Sequence, residues 1–219
     1  KYSGTSGDLK WSIDSDGVLK ISGTGDYEPI KGKPNEYGSV YEDVPKWYDY
    51  RSKIKKAVVN VKGITSTKNM FMYCENLKSI EFKEFNTSKV TNMSQMFRGC
   101  HNLSNLDVSD FNTSNVTDMS GMFDWCPNLT KLDVSGFNTN IVTDMGGMFS
   151  NCWSLKYLKL SKKFFTPEVL NMSNMFAECG YTAMTSLDLG DKFDTSNVTN
   201  MYGMFNGCSS LTSLNLGDK

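Results

Sequence analysis

LSNLDVSDFNTSNVTDMSGMFDWCPN, residues 103–128, recurs with its landmark residues in place on both sides of itself. Its signature Phe-x-x-Cys falls at Phe71/Cys74, Phe97/Cys100, Phe123/Cys126, Phe149/Cys152, Phe176/Cys179 and Phe205/Cys208, which sets the cysteines 26, 26, 26, 27 and 29 residues apart. All six cysteines of the chain occupy this one position. A fixed period of roughly 20 to 50 residues is the mark of a solenoid.

Within each unit the apolar positions follow two regimes. The first, Leu-x-x-Leu-x-Val/Leu, as in Leu103, Leu106 and Val108, ends in alternation of apolar and polar residues, the period of a strand with one buried face. The second, as in Val116, Met119, Met122, Phe123 and Cys126, has spacings of three and four that place its apolar side chains on one stripe of a helical turn. Neither element can bury its apolar side alone, whereas stacked copies cover one another. The spacing therefore predicts parallel strands about 4.8 Å apart on one wall and short helical or 3₁₀ turns on the other. Ser66, Asn92, Asp118, Asp144, Asn171 and Asn200 stand where each turn starts and read as N-caps. Glycines 121, 147 and 203 keep these turns short. The methionine rows, such as Met96, Met122 and Met148, read as core filling between coils.

The 219 residues carry a formal net charge of −1, with 39% hydrophobic and 21% charged residues. That balance excludes a basic nucleic-acid surface and an acidic disordered tail. No apolar run approaches the roughly 18 residues of a membrane span, so no direct membrane insertion is expected. The chain opens at Lys1 without methionine and reads as an excised piece of a longer protein. Equivalent cysteines of adjacent coils would have parallel Cα–Cβ vectors, unsuited to a disulfide, and so read as free, buried thiols.

The first part of the chain differs in character. Leu9, Trp11 and Ile13 and then Leu19 and Ile21 alternate with polar residues around Asp14-Ser15-Asp16-Gly17, a hairpin signal. Residues 26–45, with three prolines and two glycines, read as a long irregular loop. Residues 1–56 are therefore expected to form a β-rich cap and loop over the apolar end of a repeat array at 57–219, with Trp47 and Tyr48 in the cover. Strands are placed at 77–82, 103–108, 129–134, 155–160, 184–189 and 211–216, with added residues bulging near 163–165 and 180–183.

One outward column of the strand wall holds Glu81, Asp107, Asp133, Lys159 and Asp188, and the column beside it contains Tyr157. On a concave face these would meet a protein partner; on a solvated sheet face they would form hydrogen-bonded rows. Tyr73, Trp125 and Trp153 sit at the loop edge and read either as contact anchors or as packing beneath a loop. The single histidine, His101, has Glu75, Pro127, Trp153, Gly180 and Ser209 as equivalents, which share no chemistry. Catalysis, a metal centre and a cofactor are not expected from this set.

The unit Phe-Asn-Thr-Ser-Asn-Val-Thr-Asp-Met-Ser-Gly-Met-Phe-x-x-Cys-x-x-Leu-x-x-Leu-Asp-Val-Ser closely resembles the BspA-like leucine-rich repeats of bacterial surface proteins. Residues 6–25, with Pro45-Lys46-Trp47-Tyr48, look like the cap that precedes such arrays. The resemblance implies an α/β fold, a right-handed leucine-rich-repeat solenoid with an N-terminal β-hairpin cap. It further implies a secreted or wall-attached bacterial protein that adheres to host matrix proteins or cells through a protein-binding face. A structural spacer presenting another domain of a longer chain is the alternative.

Overall fold

The computed structural model describes residues 1–34, 38, 41–161 and 164–218. From Lys56 onward the chain winds into a stack in which equivalent residues lie over one another. The rings of Phe71, Phe97, Phe123, Phe149, Phe176 and Phe205 form one column, with successive centroids 6.0, 5.6, 5.7, 5.5 and 5.6 Å apart and planes within 12° of parallel. Repetition of Phe at one register thus becomes a continuous aromatic spine, buried from Phe71 to Phe176 with Met96, Met122 and Met148 beside it and half-buried at Phe205. The cysteines are all free, and five of the six are buried.

The wall that the apolar spacing predicts as helical or 3₁₀ is neither. Between Thr67 and Cys74, alternate backbone N–H groups point sideways into the next coil. Thr67, Asn69, Phe71 and Tyr73 donate to the carbonyls of Asn92, Ser94, Met96 and Arg98 at 3.0, 3.1, 2.9 and 2.7 Å. The N–H groups between them, of Met70, Met72 and Cys74, close four-residue β-turns onto the carbonyls of Thr67, Asn69 and Phe71. Each coil also holds two left-handed residues four apart, such as Asn69 and Tyr73, Gly121 and Trp125, or Gly147 and Asn151, with φ between 55° and 63°. A helix cannot continue through such residues. What results is a chain of linked β-turns whose four-residue repeat keeps Met, Phe and Cys on one side, as a helix would.

The expected N-caps accordingly act as Asx turns. The side-chain oxygens of Asn92, Asp118, Asp144, Asn171 and Asn200 accept the N–H two residues on, at 2.8–3.0 Å. Those same residues bridge coil to coil in an unbroken parallel series from Ser66 to Asn200.

The strand wall is the discontinuous one. β1 (Tyr2–Ser6), β2 (Leu9–Ile13) and β3 (Val18–Thr24) form an antiparallel meander. β4 (Ile30–Pro34) and β5 (Tyr41–Val44) pair as a hairpin, where the prolines and glycines predict only an irregular loop. A 3₁₀ helix, Lys46–Lys53, leads into β6 (Lys56–Lys62), which lies parallel between β3 and β7 (Ser79–Phe82). Beyond β7 come β8 (Lys131–Asp133), β9 (Tyr157–Lys159), β10 (Ser186–Asp188) and β11 (Ser213–Asn215), paired as β8–β9 and β10–β11 only. The strand expected at 103–108 reduces to a single bridge between Ser79 and Asn105. The continuous parallel sheet is thus corrected to short pairs. Asp107, Asp133, Asp188 and Asn215 explain the shortness: each accepts the N–H two residues on and turns the chain away after three extended residues.

The meander is continuous with the stack through β3–β6, and Leu9, Ile13, Leu19 and Ile21 are buried in one core with Ile54 and Val59. Trp47 is fully buried and donates its Nε1–H to the Met70 carbonyl at 2.8 Å. Buried threonines knit the coils further. The Thr113 hydroxyl donates to the Asn138 carbonyl at 2.9 Å and accepts the Asn138 N–H at 2.7 Å; Thr87 treats Asn112, and Thr166 treats Asp194, in the same way. The bulge expected near 163–165 falls partly outside the described residues, although Phe164 is buried and stacks on Phe193 at 6.3 Å.

Candidate functional site

Strand alternation sends Leu132 and Leu187 inward and leaves Lys131, Asp133, Tyr157, Lys159, Ser186 and Asp188 on the outer face. Within this face Asp133 lies in register with Lys159 and Asp188 with Asn215, and the carboxylates are partly occupied. Asp133 accepts the Ser135 N–H at 2.9 Å and hydroxyl at 2.6 Å, and its far oxygen lies 3.7 Å from the Lys159 ammonium. The Ser135 hydroxyl and N–H hold the Asp133 carboxyl below the ordinary aspartate value, and Ser109 does the same for Asp107. Asp188 receives the Gly190 N–H and the Asn215 amide. Glu81 stands between Lys56 at 3.9 Å and Lys83 at 3.8 Å.

The column does not act as one surface, because the wall is split into two cavities. Glu81 and Asp107 share a pocket of about 240 Å³ floored by Ile80, Phe82, Phe85 and Phe111. Tyr157, Lys159 and Asp188 meet in a larger groove of about 650 Å³ between β9 and β10. Asp133 lines neither. Tyr157 is 63% exposed, and the Lys156 ammonium lies 5.1 Å from its ring centroid. Lys156 and Asp191 also line this groove; Asp191 lies beyond the strand expected at 184–189, and Lys156 lies within the strand expected at 155–160, just before the observed β9. Their position in the two coils longer than 26 residues was the available signal.

The loop-edge aromatics divide. Tyr73 is 5% exposed and packs with Val44, Tyr48 and Met72, so it is removed from the candidate edge. Trp125 and Trp153 remain there, in edge contact at 5.4 Å, with the Trp153 Nε1–H donated to Glu178 at 3.0 Å. His101 lies 6.2 Å from Trp125, and its Nε2 is enclosed without a hydrogen-bond partner. Burial pushes the Cys74 thiol up to about 12, and the other thiols are also raised by burial, so none is a thiolate at neutral pH. Among the described residues no group of three or more His, Cys, Asp or Glu side chains is placed to hold a metal ion, and no helix is long and apolar enough to cross a membrane.

The family described as "Mycoplasma protein of unknown function, DUF285" matches residues 65–187 and 161–218, the stretch that forms the stacked coils. The chain belongs to this family. No curated protein matches it. Among solved structures, the DUF285 chain is similar to a leucine rich cell surface protein from Faecalibacterium prausnitzii A2-165, at 19% identity and a TM-score of 0.51 over 98% of this chain and 54% of that one. A leucine-rich repeat protein from Eubacterium ventriosum ATCC 27560 aligns at 18% identity with a TM-score of 0.40, over 98% of this chain and 72% of that one. The first likeness shows a shared leucine-rich-repeat fold. The DUF285 chain spans about half the length of that protein.

Proposed function

We propose that this chain is an extracellular, protein-binding repeat module of a bacterial surface protein, of the BspA-like kind, whose purpose is adhesion to host matrix or cells. In this reading residues 1–56 cap a right-handed solenoid formed by 57–219, and the module performs no chemistry of its own. One observation carries the binding assignment: exposed Tyr157, flanked by Lys156 and Lys159, stands over an open groove facing Asp188 and Asp191. Exposed aromatics beside charged groups are the usual anchors of protein interfaces. The name of the Faecalibacterium neighbour supports a surface location. Buried protonated thiols and an enclosed His101 Nε2 support the non-enzymatic reading.

Binding of the purified chain to immobilised matrix proteins and host cells, compared with Tyr157→Ala and Lys159→Glu variants, tests this reading. Capture that weakens about tenfold in the variants, at unchanged melting temperature, is expected. Failure of the wild-type chain to bind any of these at micromolar concentration would sink the adhesive role. A spacer is the second reading, favoured by the lateral hydrogen bonds that tie every coil to the next.

A further inference from the structure

β9 and β10 belong to successive coils and do not pair. On the opposite wall the same two coils are joined normally, with Asp144 bridging Asn171 and Phe149 stacked on Phe176 at 5.5 Å. The coils therefore touch on one side and part on the other. The groove of about 650 Å³ fills the opening, with residues 156–161 on one bank and Ser186, Asp188, Gly190 and Asp191 on the other.

The ladders on either side fix which backbone groups face that opening. Tyr157 donates its N–H to the Thr130 carbonyl and the Lys159 carbonyl accepts the Val134 N–H, so residues 157 and 159 turn their backbone toward β8. Leu158 and Leu160 alternate with them and turn theirs toward the opening. On the other bank Thr185 accepts from Ser213 and Leu189 donates to Asn215, so residues 185 and 189 face β11. Ser186 and Asp188 then face β9. No backbone hydrogen bond crosses from Leu158 or Leu160 to Ser186 or Asp188.

Two facing rows of free N–H and C=O groups are the complement of one extended chain, since a strand presents donors and acceptors on both edges. We propose that the seam between β9 and β10 receives an extended segment of a partner protein, which adds as the missing strand. This inference deepens the protein-binding reading and rests on it. The seam also states what the segment looks like. Its inward residues would lie beside half-buried Leu158 and Leu160 and buried Leu187, and are therefore aliphatic. Its outward residues lie between the Tyr157/Lys159 bank and the Ser186/Asp188 bank, and are polar. A polysaccharide lacks the alternating N–H and C=O edge and would leave these groups unpaired.

Residue-resolved amide exchange provides the test. The probe is the synthetic heptapeptide LTKLDVS, identical to residues 129–135 and so a copy of the stack's own strand. At millimolar peptide, exchange at Leu158, Leu160, Ser186 and Asp188 is expected to slow by about tenfold or more, while Leu187 and Leu189, already bonded to β11, stay unchanged. The same peptide N-methylated at alternate residues should have no effect. Ser186→Pro removes a seam-facing donor without touching the β10–β11 ladder, and should weaken peptide binding about tenfold. The proposal is overturned if the four amides are already protected in the free protein, if the peptide leaves them unchanged, or if the methylated peptide works equally well. Capture of surface proteins through Tyr157 without any effect at the seam would leave the broader reading standing and remove strand addition. A seated peptide without captured surface proteins would do the reverse.

Discussion

The Cys126 thiol donates to the Phe97 carbonyl oxygen, one coil earlier, across 3.1 Å. Cys100 and Cys152 do the same to Phe71 and Phe123, so the cysteine column is a row of weak donors as well as a row of small apolar groups. Replacement by alanine removes both contributions, and Cys126→Ala should cost about 1–2 kcal/mol in urea denaturation. Ellman's reagent at neutral pH should label Cys208 first, because it alone is half-buried, and the other five only as the chain unfolds.

Phe123 has a ring on each side, at 5.6 and 5.7 Å. Phe123→Ala interrupts the spine and opens a cavity that the neighbouring coils cannot close without breaking their lateral hydrogen bonds. A loss of about 3–5 kcal/mol is expected, read from the denaturation midpoint. Phe123→Leu, which fills most of the space, should lose less than half of that.

Thr113 is a clamp, since one hydroxyl satisfies both the N–H and the C=O of Asn138. Thr113→Val keeps the shape and removes the partner of a pair of backbone groups, at a cost of about 1–3 kcal/mol. Thr113→Ser keeps the clamp and should cost less. Calorimetric melting of the two variants distinguishes hydroxyl loss from methyl loss.

The Ser135 hydroxyl and N–H hold the Asp133 carboxylate below its ordinary value. A group depressed in the folded state stabilises above its unfolded value, and that contribution fades as pH falls through the folded value, on the acid side of the ordinary aspartate range. An NMR titration should show Asp133 rising toward ordinary values in Ser135→Ala. The acid limb of the stability curve should flatten with it.

The stack was legible because Phe-x-x-Cys recurs at nearly constant distance, and equal distances along a chain become columns in space. The outward residues of the strands were legible from alternation. The turn wall was not: Met119, Met122, Phe123 and Cys126 have helical spacing, and a run of β-turns repeating every four residues leaves the same trace. The distinguishing sign was present in Gly121, Gly147 and Gly203 at one position with Asn69 and Asn174 as equivalents, and Gly99 and Gly207 with Asn151 at the other. Glycine and asparagine together mark left-handed backbone, whereas the same residues taken singly read only as weak helix formers. Likewise β1 and the β4–β5 hairpin carry little apolar alternation of their own, and the split groove depends on how coils of unequal length diverge. That divergence is a property of the assembled stack, beyond any one unit's pattern.

Because half of the turn-wall N–H groups reach into the adjacent coil, every layer is fastened to the next by the same few bonds. Tension applied between the two ends of the array would load these fastenings one layer after another instead of all together. Each release would let out one unit of roughly 90 Å of extended chain, and a tether built this way would lengthen in steps under shear.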